Sequence, residues 1–474
     1  MSLDKGVASV PGQYPPETTL LLQPVQHLHP ASRGVQGVAL LRRGKGGGIA
    51  RVFCRVFYLG LFLFLASPSY AYLDPGTGSL LLYAIMGIAV TALFAIRSLW
   101  YTLKGKAYLV GAASVSAGLP DIIFHSEGGN YWQVFKPVIA SLTREGAACA
   151  YVTPDPSDPG LSSGMPHLKA FRPGGNMATI AWMNTARTGV VVSTTPHLDV
   201  YMLKRSKRVK RYVHLFHAPT DIVFYEKYAF DWYDCLLIVG SFQEAGIREL
   251  ERKRGTPVKE LLPTGCTYFD YMLEEISTLP TGSGGPPAVL YAPAWGVRSS
   301  VLTHGSGVID SLVSRGMKVI FRPHPQFYVS HTEIIRDIEK RLAGTDLVEI
   351  DRNRTGISAM ARSDVLITDL SGILFDYACL FARPILLANS DADPGGQEGE
   401  DLSGALWDVV ASKELAYALV DGLESLPDLV TRARRSTGEY GQRAREFRDR
   451  TFYNFGAAGQ AAADNILSVF RNTL

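Results

Sequence analysis

The sequence predicts an α/β protein of two doubly wound domains in tandem, with a cleft between them and a membrane anchor ahead of them. Three observations carry this expectation. Apolar runs of strand length alternate with helical spacing over 119–276 and again over 288–474, the pattern of parallel sheets covered by crossover helices. The run STLPTGSGGPP at 277–287 divides the two series and reads as a flexible linker. Upstream, uncharged apolar runs at 56–66 and 80–96 are bordered by Arg51, Arg55, Arg97, Lys104 and Lys106.

Composition closes off several classes. With 47% hydrophobic and 19% charged residues, the 474-residue chain has sizeable cores to build and is not a disordered polymer. A formal charge of +3, with the basic residues gathered near the apolar runs and in one later stretch, does not suit a nucleic-acid binder. Cys54, Cys149, Cys235, Cys266 and Cys379 show no CxxC or metal-ligand spacing and read as buried, reduced thiols.

Residues 1–50, rich in Gly, Pro, Gln and Arg without periodicity, read as a disordered extension or a mis-assigned start. Segment 51–71 is either signal-like, with Ser69, Tyr70 and Ala71 at a cleavage-site spacing, or a first membrane helix. Segment 72–106 contains the run 80–96, near the lower limit of roughly 17 to 25 residues for a spanning helix. The cations after it place its far side in the cytoplasm. The expectation is a single-pass anchor in the inner cell membrane with a cytoplasmic catalytic region; a buried pair of core helices is the alternative.

The first series opens with a strand at 121–124, the turn Ser126-Glu127-Gly128-Gly129-Asn130, a helix over 131–143 and a strand at 149–152. Further strands fall at 189–193, 212–216 and 235–239. The second series has strands at 288–291, 318–321, 347–350, 365–367 and 385–387. The tail 442–474 is helical and could pack back over the hinge. Two tandem α/β domains place their site in the cleft between them.

The chain is organised around 363–384, SDVLITDLSGILFDYACLFARP. A strand feeds a helix through Thr368, Asp369 and Ser371, and helix N-termini at the carboxyl ends of strands attract anions. An ordinary turn with Asp369 or Ser371 as N-cap is the alternative. Arg322 and His324 sit in a proline-locked turn, RPHP, after the strand 318–321, where Arg offers a rigid fork to phosphate oxygens and His a hydrogen bond. His217 ends the strand 212–216 and could act as general base on an incoming hydroxyl, worth roughly 10² to 10⁴ in rate. His214, two residues earlier, faces the other side of that strand and reads as structural. The run KRSKRVKR, with Lys204, Arg205, Lys207 and Arg208, is either a solvated loop or a contact for anionic lipid or acceptor, at about 1 kcal/mol per basic residue. Walker, dinucleotide, GxSxG and HExxH patterns are absent from the sequence.

Taken together, HLFHAPTD at 214–221, VLYAPAW at 289–295, FRPHP at 321–325 and SDVLITDLSGILFDYACLFARPI at 363–385 resemble the CDP-glycerol glycerophosphotransferase family, the polymerases and primases of teichoic-acid-type polymers. The resemblance runs from about residue 121 to the C-terminus. It implies a GT-B architecture of two Rossmann-like domains, with the donor held mainly by the second. It implies that His217 is the base and His324 acts at the reacting phosphate. Arg322, Thr368, Asp369, Ser371, Gly372 and Asp376 would hold the CDP-alcohol, and Pro384 completes the last motif. Ala218, Leu370 and Gly372 stand where the family usually has Gly, Tyr and Ser.

The implied function is transfer of glycerol phosphate, or a similar polyol phosphate, from a CDP-alcohol to a lipid-linked or polymeric acceptor at the membrane. Fixed cations and the helix dipole offset the charge of the departing CMP, so no metal or other cofactor is expected. Two rivals stand beside it: a GT-B glycosyltransferase using a sugar nucleotide, and a non-catalytic membrane scaffold that binds nucleotide or polymer.

Overall fold

The computed structural model describes residues 118–279, 288–353 and 355–474. The extension 1–50, the membrane segments expected within 51–106 and most of the linker 277–287 lie outside the described residues. Among the described residues no helix is long and apolar enough to cross a membrane.

Seven parallel strands form the first sheet: β1 (Ile122–His125), β2 (Cys149–Val152), β3 (Leu168–Phe171), β4 (Thr188–Ser193), β5 (Val209–Leu215), β6 (Cys235–Ile238) and β7 (Glu260–Pro263), in the order 3-2-1-4-5-6-7. Six parallel strands form the second: β8 (Ala288–Ala292), β9 (Lys318–Phe321), β10 (Val348–Ile350), β11 (Val365–Asp369), β12 (Ile385–Asn389) and β13 (Ala418–Leu419), in the order 10-9-8-11-12-13. The central strands are unbroken apolar runs, such as Val190, Val191 and Val192, because helices cover both faces. Each chain of strands starts in the middle of its sheet and reverses direction there. The reversal lies between β1 and β4 in the first sheet and between β8 and β11 in the second. A crevice opens beyond the carboxyl ends of two such strands, so the fold itself nominates two places for ligand.

The last helix, Ala458–Arg471, was grouped by sequence with the second domain. It packs instead on the first sheet, against the helix Trp132–Arg144, through Ala462, Ala463, Ile466 and Val469. Glycine at 459 lets the two helices touch, since a Cβ there would fall 2.7 Å from Pro137 Cβ. The apolar stripe of this helix needs a partner, and the exposed groove over β4 and β5 supplies it.

One buried cluster runs from the first sheet into the second, from Ile123 and Leu236 to Leu290, Leu366 and Phe375. Phe242 stacks on Trp407 with ring centroids 3.7 Å apart. The segment 221–231 of the first domain lies against the turn 396–401 of the second, with a bridge between Glu226 and Gln397. Arg254 cements that contact, reaching Asp231 and Asp401 at 2.8 Å each and also Glu398. Cys149, Cys235, Cys266 and Cys379 are buried free thiols.

Candidate active site at the strand ends

Strand β11 extends two residues beyond the expected 365–367 and carries Thr368 and Asp369 at its end. Register against β12 shifts between these two residues, an irregularity that re-aims the strand's last side chain. Asp369 Oδ2 then accepts from Ala294 N at 3.0 Å and from Ser300 N and Oγ at 3.1 Å each. Its carboxylate therefore pins the loop after β8. Burial pushes its pKa up to about 6, against the opposing effect of those donors. Thr368 is fully buried and gives its hydroxyl to Ala292 O at 2.7 Å, across the β8–β11 pair. Both residues were expected to meet the donor; the structure spends their polar atoms on shaping the crevice.

Ser371 occupies the N-cap position of the helix Gly372–Phe381, yet its hydroxyl caps nothing and lies 3.1 Å from Thr368 Oγ1. The first N–H groups of the helix are thereby left for an incoming group. Gly372 faces open space, with nothing within 4 Å of the position a Cβ would take. Over this opening stand Trp295, 57% exposed on the pinned loop, and His324, their rings 6.1 Å apart.

His324 Nδ1 accepts from Gln326 N at 3.2 Å, so its remaining nitrogen, Nε2, carries the proton as a donor. Burial and then the Arg322 charge lower its pKa, keeping it neutral. Arg322 is not a free fork. It binds Asp351 Oδ2 at 2.6 Å and Asn353 O at 2.9 Å, tying the RPHP turn to the end of β10. A cavity of about 360 Å³ lies beside this turn, lined by Arg322, Pro323, Pro325, Tyr328 and Asp351 among others, all from the second domain.

On the first domain, His217 follows β5 and is half-buried. Its Nδ1 lies 3.1 Å from Tyr225 Oη, and Tyr131 meets its ring edge-on at 5.5 Å. Burial pushes its pKa down to about 4. Tyr131 and Thr195 hydrogen-bond Glu127, on the turn after β1, and burial raises that carboxyl. Sequence reasoning placed the 126–130 turn but did not single out Glu127, Tyr131 or Tyr225. No motif marks them, because they come from three separate loops. His214 is fully buried in an aromatic cage of Phe216, Phe230 and Tyr233, both ring nitrogens unpaired, which fits a residue packed in the core.

The two halves approach through Cys266 at the end of the first domain. Its thiol feels the charge of Asp376 on the second-domain helix, and Tyr225 beside His217 in turn feels Cys266. Asp376 itself is pushed up to about 7 by burial, with Oδ1 unpaired. Arg322 and Asp376 both act on Tyr268, two residues further along. His217, Asp376 and Arg322 thus belong to one neighbourhood.

Of the basic run, Lys204 folds back onto Asp199 O at 2.9 Å and Arg205 clasps Asp234 at 3.0 and 2.9 Å. These contacts hold the loop before β5. Lys207 and Arg208 remain exposed. Among the described residues no group of three His, Cys, Asp or Glu could hold a metal ion.

Residues 258–467 match the CDP-glycerol:poly(glycerophosphate) glycerophosphotransferase family model. The matched span begins just before β7 and takes in the whole second sheet with its RPHP turn and Gly372 opening. The glycerophosphotransferase domain thus contains every second-domain residue named above. No curated protein matches the chain. Among solved structures, the UDP-GlcNAc 2-epimerase of Methanocaldococcus jannaschii in complex with UDP-GlcNAc and UDP is similar at 12% identity and a TM-score of 0.49, over 74% of this chain and 99% of that one. The UDP-GlcNAc 2-epimerase of Neisseria meningitidis bound to UDP-GlcNAc gives 11%, 0.47, 74% and 100%, and a glycosyltransferase of Rickettsia africae 12%, 0.44, 75% and 98%. Similarity this remote says nothing of what the chain binds or does.

Proposed function

We propose that the protein transfers glycerol phosphate, or a similar polyol phosphate, from a CDP-alcohol to a lipid-linked or polymeric acceptor. The observation that carries this reading is the glycerophosphotransferase domain match, which spans the open helix start at Gly372 and the His324 turn. An acceptor hydroxyl oxygen attacks the phosphorus bearing the glycerol. The bond from that phosphorus to the CMP oxygen breaks, and CMP leaves with the electron pair. His217 takes the hydroxyl proton. Its lowered pKa keeps it neutral before substrate binds, and the arriving diphosphate charge raises its basicity. The Nε2–H of His324 and the N–H groups at Gly372 receive the negative oxygens, the helix start contributing about 0.3 to 2 kcal/mol.

The acceptor is brought by a membrane surface. Lys207 and Arg208 are flanked by exposed Tyr201, Met202 and Trp232, a basic and aromatic edge suited to anionic headgroups. Anchoring through 80–96 and a cytoplasmic site complete the reading.

The test is CMP release from CDP-glycerol by the full-length protein in liposomes carrying a lipid-linked acceptor. Release that His217→Ala and His324→Ala abolish without lowering the unfolding temperature supports the proposal. Turnover of UDP-sugars with no release from CDP-glycerol sinks it in favour of a glycosyltransferase, and nucleotide binding without any turnover favours a scaffold.

A further inference from the structure

A neutral imidazole has one N–H and one lone pair, and a hydrogen bond to one nitrogen settles what the other can do. In His217, Nδ1 meets Tyr225 Oη at 3.1 Å, while no described residue hydrogen-bonds Nε2. With the proton on Nδ1 and donated to Tyr225, Nε2 keeps its lone pair and can accept a proton from an alcohol. With the proton on Nε2, it can accept none.

Tyr225 is itself firmly held. Its ring packs against Phe230 at 4.8 Å and Phe216 at 6.0 Å. Its carbonyl accepts from Glu398 N at 2.7 Å, and the next residue, Glu226, bridges to Gln397. The hydroxyl partner of His217 is therefore fixed by the 396–401 turn of the second domain, which Arg254 binds in turn. Burial raises the phenol's pKa well above its ordinary value, so Oη stays uncharged and able to accept.

We propose that Tyr225 is the positioning residue that selects the Nδ1–H tautomer of His217 and leaves Nε2 as the proton acceptor. This rests on the reading of His217 as the base in the transfer above.

The test is ¹⁵N NMR of the full-length protein labelled in its histidine side chains, with His217 assigned by the signal lost in His217→Gln. In the wild type the neutral ring carries its proton on Nδ1, and in Tyr225→Phe the proton moves to Nε2, the form an unconstrained imidazole favours in water. In the CMP-release assay, Tyr225→Phe lowers kcat by about 10- to 100-fold while KM for CDP-glycerol stays within about twofold. A proton on Nε2 in the wild type, or on Nδ1 in both proteins, overturns the proposal, as does an unchanged kcat. The spectrum requires no turnover. A wild type with Nδ1–H that loses it in Tyr225→Phe, yet releases no CMP, leaves the role of Tyr225 standing and removes the transferase reading.

Discussion

The backbone N–H of Asp221 donates to Asp408 Oδ1 at 3.2 Å, joining the first domain to the second through two buried carboxylic acids. Asp221 also accepts from Ile222 N at 2.8 Å, whereas Asp408 Oδ2 has no partner among the described residues. Burial pushes Asp221 up to about 7, and burial together with the Asp221 charge pushes Asp408 up to about 8.

A pH dependence of stability follows. Each acid has an ordinary value of 3.8 and titrates near 7 to 8 in the folded protein. Across that window the folded form holds more protons than the unfolded one, so stability falls as pH rises from about 4 to about 8. Asp408→Asn keeps the accepting oxygen and removes one titration. It is expected to stabilise the protein by on the order of 2 kcal/mol at pH 8 and by little near pH 4.5. Equal gains at both values, in thermal unfolding, would count against the acid pair.

Asp369 offers a test of the pinned loop. Asp369→Ala leaves the donors at Ala294 and Ser300 without their acceptor, at a cost of roughly 1 to 3 kcal/mol. The loop bearing Trp295 loosens with it, so KM for CDP-glycerol is expected to rise as well. A stability loss with an unchanged KM would remove that loop from donor binding.

Gly372 separates binding from folding. Its open surroundings accommodate a side chain, so Gly372→Leu is expected to change stability by no more than about 0.5 kcal/mol. The same side chain stands where phosphate would approach the helix start, and KM for the donor should rise about tenfold. Unchanged donor kinetics would take the phosphates elsewhere.

Arg322 is predicted to act through structure first. Asp351 is buried, and Arg322→Met strips it of its cation, which costs about 3 to 5 kcal/mol. Urea unfolding should register the loss even with no nucleotide present. A stable Arg322→Met protein that fails only in donor binding would make the guanidinium a ligand contact instead.

Strand-to-helix alternation determined two parallel α/β sheets, because central strands buried on both faces read as unbroken apolar runs. Edge strands β3, β7 and β13 escaped notice: Leu168–Phe171, Glu260–Pro263 and Ala418–Leu419 are partly exposed and carry mixed residues. Spacing also placed His217, His324 and Thr368 at the carboxyl ends of strands. The sequence by itself thus determined which residues stand at the strand ends and what chemistry their types allow. Only the tertiary structure decided which of them are already engaged. Asp369 turns to a loop about seventy residues away in sequence, Thr368 to Ala292, Arg322 to Asp351, and His217 to Tyr225. Local propensity fixes where a side chain leaves the backbone, whereas its hydrogen-bond partner is set by the packing of distant segments, which no short motif encodes.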